Sequence, residues 1–170
     1  MAISSRTFVL LAVLQLLPLE CTLNAQPREH FRFDHLRVEQ GLSQGSINAM
    51  MHDKKGFLWI GTDDGLNRFD GYQFVVLRPD PSDRQALAGN VVTALSEDPS
   101  GKLWIGTSGS GFQSFDPVTW KFASHPSTLP RGASLRNNVI TAIQADASKR
   151  VWIGTDHDGL LQFDVRTGVL

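Results

Sequence analysis

Asp98-Pro99-Ser100-Gly101-Lys102-Leu103-Trp104-Ile105-Gly106-Thr107 is a turn that runs into a short apolar strand, and the chain writes it three times. The other copies are Asp53-Lys54-Lys55-Gly56-Phe57-Leu58-Trp59-Ile60-Gly61-Thr62 and Asp146-Ala147-Ser148-Lys149-Arg150-Val151-Trp152-Ile153-Gly154-Thr155. In the middle copy Asp can bond back to the backbone, Pro presets φ at the second turn position and Gly takes the fourth. Leu103 and Ile105 then point to one side of a strand and Trp104 to the other. Gly106 lets a neighbouring backbone approach.

The repeat extends both ways. Before the turn stands Leu87-Ala88-Gly89-Asn90-Val91-Val92-Thr93-Ala94-Leu95, matched at 42–50 and 135–143. After it stands Gly111-Phe112-Gln113-Ser114-Phe115-Asp116, matched at 65–70 and 159–164. The tryptophans of the frame lie 45 and 48 residues apart, the period of four short strands with their turns, which is one propeller blade. Residues 90–97 read as a strand buried on both faces near the axis, 102–107 as the second strand, 112–116 as the third and 121–123 as an outer fourth. Proline-bearing links at 78–89 and 125–137 join the blades. No sustained helical period occurs after residue 26, so no helices are expected. The class is all-β: blades of four antiparallel strands, three repeats at about 42–86, 87–134 and 135–170. A large flat indole between blades fills the wedge and buries about 150–250 Å². Trp59, Trp104 and Trp152, with Ile60, Ile105, Ile153, Gly61, Gly106 and Gly154, are therefore assigned to the core.

The 170 residues carry a formal net charge of −1, with Lys and Arg numbering 16 against 17 Asp and Glu. That balance excludes the basic surplus a nucleic-acid binder needs. Residues 1–25 read as a signal peptide. Arg6 is the basic end, 7–17 the apolar stretch, and Leu23-Asn24-Ala25 before Gln26 the cleavage point. The apolar run is short of the roughly 20 residues that span a bilayer. An uncleaved anchor or a lipoprotein at Cys21 is the alternative, and Glu20 fits a lipidation box poorly. Cys21 is the one cysteine, so cleavage after Ala25 leaves a mature chain without disulfides.

The residues resemble a known family. Leu-Trp-Ile-Gly-Thr followed by Gly65-Leu66-Asn67-Arg68-Phe69-Asp70-Gly71 is similar to the two-component regulator propeller repeat. The segment Phe33-Asp34-His35-Leu36-Arg37-Val38-Glu39-Gln40-Gly41-Leu42-Ser43-Gln44 resembles the stretch that opens such sensors. The links with Asp80-Pro81-Ser82, Ala86-Leu87 and Ser134-Leu135 resemble the connections between its blades. The resemblance implies a periplasmic or extracellular sensor region of hybrid histidine-kinase-like proteins, built of seven-bladed propellers. A membrane helix and a histidine kinase or diguanylate cyclase would lie downstream, and glycan fragments or other small molecules would be the ligands. Three blades fall short of the four to eight that close a ring, so the expectation is the N-terminal part of a longer propeller. The remaining blades would be its partners, and the membrane would be reached only through a later helix. An open stack would leave apolar blade faces exposed, a surface prone to aggregation. Closure by oligomerisation is the alternative. A strand at 31–36 is expected to lock the ring by pairing with the last blade. Lys149 departs from the repeat by replacing its turn glycine.

No catalytic constellation is evident, and the chain reads as non-catalytic, without cofactor or metal. The five histidines lack metal-ligand spacing. Asp53, Asp98 and Asp146 recur at one turn position, which reads as a repeated structural role rather than glycosidase chemistry. Asp156-His157-Asp158 could hold a cation or a polar ligand, yet also reads as a hydrated turn. Rim loops and links supply the candidate ligand-binding residues Asp63, Asp64, Arg84, Arg131, Arg136, Asp156, His157 and Asp158. A secreted propeller enzyme acting on glycans and an extracellular interaction scaffold are the alternative functions, since fold alone does not choose.

Overall fold

The computed structural model describes residues 34–125 and 138–170, nearly all within the compact unit His35–Leu170. The expected signal peptide lies outside the described residues.

Each repeat folds into its own antiparallel sheet. The first is β1 (Ile47–His52), β2 (Leu58–Thr62), β3 (Gly65–Phe69) and β4 (Phe74–Leu77), paired in chain order. The second is β5 (Val92–Glu97), β6 (Leu103–Thr107), β7 (Phe112–Asp116) and β8 (Lys121–Ser124). The third contains β9 (Ile140–Ala145), β10 (Arg150–Thr155) and β11 (Leu160–Asp164), with a lone bridge from Asp164 to Val169 where the outer strand was expected. These are propeller blades. β5 packs on β1 and β2, and β9 packs on β5 and β6, so the first strands of successive blades lie side by side at the centre.

Strand alternation sends the two faces of each blade to different neighbours. Leu103, Ile105 and Phe115 join Trp59, Leu66 and Val92 in the layer between blades one and two. Trp104 and Phe112 point the other way and join Ile140, Ile143, Val151, Ile153 and Phe163 between blades two and three. Trp59 meets Phe115 edge-on with ring centroids 5.5 Å apart, and Trp104 meets Phe163 at 5.7 Å. Both indoles are fully buried.

The strand glycines answer to the same stacking. A Cβ on Gly61 would stand 2.6 Å from Val92 Cγ1, and one on Gly106 would stand 2.6 Å from Ile140 Cγ2. In each case the obstacle is the opening of the next blade's central strand. Close blade approach, rather than a special φ, requires glycine here.

The third blade departs from the expectation. Trp152 is only half-buried and Gly154 is not enclosed, so neither is a core residue like its counterparts. The cause is geometric, because among the described residues no blade follows to cover that face. Ile153 remains buried, since it points back toward blade two. A second departure is the 3-10 turn Val38–Gln40, closed by Gly41 at φ 106, in the segment leading to blade one. Residues 34–37 form no strand, and the rest of the expected ring-locking strand lies outside the described residues.

Candidate functional site

The recurring Asp is a structural device. Asp53 accepts the Trp59 indole N–H at 2.8 Å through Oδ2, and the Lys55 and Phe57 amides through Oδ1. Asp98 does the same for Trp104 at 3.2 Å and for Ser100 and Lys102. Asp146 repeats it for Trp152 at 3.3 Å and for Ser148 and Arg150. One carboxylate thus ties the turn to the ring that wedges the blades. Burial raises the affinity of Asp98 for a proton, but hydrogen bonds from the Ser100 hydroxyl, the Trp104 indole and two amides outweigh it and hold the carboxyl below its usual range. These carboxylates are committed to the fold and are not spare acid–base groups. The turn survives the loss of its glycine: Lys149 takes φ 61 where Gly56 and Gly101 have 89 and 88.

The second-to-third-strand loops and the inter-blade links share the opposite end of the blades. The Gly65 amide donates to Asn90 O at 2.7 Å, that of Ser108 to Val91 O, and that of Asp156 to Val139 O. The loops of blades two and three thus brace the links entering their own blades, while the Gly65 amide, and those of Gly109 and Gly111 to Asn138 O, brace the link entering the next. This is the rim on which the candidate residues were expected, and it does bring Asp63, Asp64, Asp156, His157 and Asp158 to one end. Their charges are largely engaged within the chain. Asp63 accepts from Asn48 Nδ2 at 2.9 Å, and Asp64 pairs with Arg78 at 2.8 Å. Asp156 pairs with His157 at 2.7 Å. The Asp158 amide donates to Thr155 Oγ1.

Arg84 is exposed on the link 78–91 and lines a cavity of about 580 Å³ with Asp80, Asp83, Leu87, Gln113 and Ser124. It is thus set against blade two, apart from the acidic loops. Arg131 and Arg136 lie outside the described residues. Among the described residues, no group of three or more His, Cys, Asp and Glu is arranged to hold a metal ion.

Residues that sequence reading passed over organise the seams between blades. Between blades one and two, the Arg68 guanidinium sits between the Phe57 ring at 4.5 Å and the Trp120 ring at 4.7 Å. The Lys54 amide donates to the Glu97 carboxylate, and its ammonium donates to Asp98 O at 2.9 Å. Between blades two and three, His125 lies among Trp104, Phe112 and Phe163 with centroids 4.9–5.4 Å away, its Nε2 2.9 Å from Ser114 Oγ. Burial, helped by the charge of Lys102, lowers the His125 pKa to about 4, so the ring is neutral at neutral pH. At this same seam a cavity of about 530 Å³ opens, lined by Asp98, Lys102, Trp104, Asp146, Lys149 and Arg166 among others.

Comparison with known proteins agrees with this geometry. The family model for the two component regulator propeller matches residues 41–64, 86–109 and 134–157. A protein named histidine kinase P4, from Formosa agariphila, is 41% identical over 70 residues, which is 41% of this chain and 5% of that protein. The extracellular domain of BT3049 from B. thetaiotaomicron, assigned to a hybrid two component system, superposes with a TM-score of 0.72 at 32% identity over 79% of this chain and 19% of its own. The extracellular domain of BT4673 from the same organism, assigned to a one component system, gives 0.64 at 26% identity over 78% and 18%. The chain thus spans a small part of the length of these relatives. Among the described residues, no helix is long and apolar enough to cross a membrane.

Proposed function

We propose, from the premise that this chain is built of two-component regulator propeller repeats, that it serves as an extracytoplasmic ligand-sensing module, non-catalytic in itself, feeding a downstream signalling domain. The observation that carries the reading is the likeness to the extracellular domains of a hybrid two component system and of a one component system across nearly all of the described blades. The local geometry supports it. The acidic side chains that recur near the second strands are bound to indoles and amides.

In this reading the signal peptide at 1–25 exports the chain, and a glycan or other small ligand at the rim shifts how the blades meet their neighbours. Such a ligand changes output only through its differential affinity for two arrangements. The test is made in the native host, by in-frame deletion of the codons for residues 42–164. Loss of a ligand-dependent transcriptional response, with no lost hydrolytic activity in the secreted fraction, supports sensing. An unchanged response contradicts it. Loss of glycan hydrolysis, restored by the intact chain but not by a rim-carboxylate variant, would assign an enzyme instead.

A further inference from the structure

The two seams between the described blades are built from equivalent positions, and one is filled while the other is open. At the first seam Arg68 is held between Phe57 and Trp120. The repeat places Lys102, Ser114 and Gly168 at the corresponding positions of the second. The equivalence is visible in the backbone. The Trp120 amide donates to Asp116 O and the Gly168 amide to Asp164 O, both at 2.8 Å, and the two residues have φ 60 and 71. The polar tie is missing as well. Lys54 bridges to Glu97 and Asp98, whereas its counterpart Pro99 has neither an ammonium nor an amide hydrogen, and the counterpart of Glu97 is Ala145. Pro99, Lys102 and Ala145 all line the cavity of about 530 Å³ at the second seam. The cavity thus opens beside the positions that Lys54 and Phe57 take one blade earlier, while Ser114 is turned to His125.

Its chemistry is asymmetric. Pro99, Ala145, Ala147, Val151 and Val165 provide an apolar wall. Arg150 is paired with Asp146 at 2.8 Å and Arg166 with Asp164 at 3.0 Å. The oxygens of Asp98 already receive the Ser100 amide and hydroxyl, the Lys102 amide and the Trp104 indole. Lys102 and Lys149 are left, and neither ammonium makes a hydrogen bond or a close ion pair among the described residues, although the charge of Lys102 is felt by the Asp116 carboxyl. We propose that this seam cavity binds a small organic anion, its sulfate or carboxylate group between Lys102 and Lys149 and its apolar body against the Pro99–Val165 wall. The volume lies in the range of small-molecule sites, about 300–1,000 Å³. The site stands at the turn end of the blades, opposite the rim of the proposed sensing surface, so its existence does not depend on that reading.

The test uses protein purified from the host in the form the cell accumulates, titrated with the aromatic sulfate ester 4-methylumbelliferyl sulfate, with uncharged 4-methylumbelliferone and inorganic sulfate as controls. Saturable binding of the ester is expected, with the uncharged parent about tenfold weaker for want of a charge-assisted contact. Inorganic sulfate alone should bind weakly, for want of the wall. Lys102→Met keeps the stem and Lys149→Gly suits the local φ, so each should fold and weaken the ester about tenfold. Absence of saturable binding, or binding unchanged in both lysine variants, overturns the proposal. So does equal binding of ester and parent, because it would show an apolar surface without an anion site.

Discussion

Gly106→Ala tests the stacking of blades at a single atom. The added Cβ would lie 2.6 Å from Ile140 Cγ2, 3.0 Å from Ile140 Cβ and 3.2 Å from Ala94 Cβ. Carbon atoms pack best about 3.5–4.0 Å apart, so the nearest contact must open by about 1 Å. Ile140 is fully buried and β-branched, with little rotameric freedom to yield. The strain therefore falls on the approach of β9 to β6. Overpacking of this kind costs about 1–3 kcal/mol, and about 2 kcal/mol is expected here because the obstructing Cβ is fixed to a central strand. Gly154→Ala is the internal control. Its new Cβ would meet Ala142 Cβ and Thr141 Oγ1 at 3.3 Å and Ala142 N at 3.6 Å, all in its own blade. Native-state hydrogen exchange read by mass spectrometry reports the opening of each strand separately. Gly106→Ala should accelerate exchange of peptides covering β9 by about 30-fold, the equivalent of about 2 kcal/mol. Gly154→Ala should change it by less than about threefold, within ordinary surface effects. Equal effects of the two substitutions would refute stacking of β9 on Gly106.

Trp104→Ala removes a buried ring and should cost about 3–5 kcal/mol in β6 and β9 opening by the same exchange readout. Trp152→Ala should cost clearly less in residues 26–170 expressed alone, because its ring is half-buried there. His125 sets the pH response. Its folded pKa, about 4, lies below the ordinary 6.5, so the unfolded chain binds the proton first. The stability held by the neutral ring is fully present above pH 6.5, falls as pH drops toward 4 and is flat below. Because the ring is partly solvated, the loss should be about 1–2 kcal/mol, and His125→Phe should remove this part of the pH dependence in urea titrations. Lys149→Gly relieves a left-handed non-glycine and should raise stability by about 0.5–1 kcal/mol, read as a higher denaturation midpoint. Residues 26–170 expressed alone should bind 8-anilinonaphthalene sulfonate strongly at the open faces, where Met50 and Leu160 are 65% and 69% exposed; weak binding by a monomer would contradict open faces.

Local chemistry made the blades legible in the sequence. The Asp turn, the alternation Leu103-Trp104-Ile105 and the glycine after it each state one contact, and three copies state it in register. The role of Asp53, Asp98 and Asp146 as a repeated structural group was readable for the same reason. What was not legible depends on which blade faces which. Trp152 carries the signature of Trp104 but lacks the covering blade, and no property of residues 146–155 reveals that. The Arg68 clamp joins positions 57, 68 and 120, whose counterparts in the next repeat carry other residue types, so no periodic signal marks it. At the second seam the same positions carry Lys102, Ser114 and Gly168. A position-by-position comparison of the repeats could have found that difference. The rim loops were placed by topology, yet Asp64 and Asp156 find partners in Arg78 and His157, pairings that charge counting alone does not supply.

The most direct measurement of the radial arrangement is a methyl NOE spectrum of the protein labelled at Ile and Val methyl carbons. Cross-peaks from the Ile140 γ2 methyl to the Gly106 α-protons, and from a Val92 γ methyl to the Gly61 α-protons, are the predicted result. If both methyls instead report only neighbours within their own sheets, the three sheets do not stack through their strand glycines and the propeller account fails.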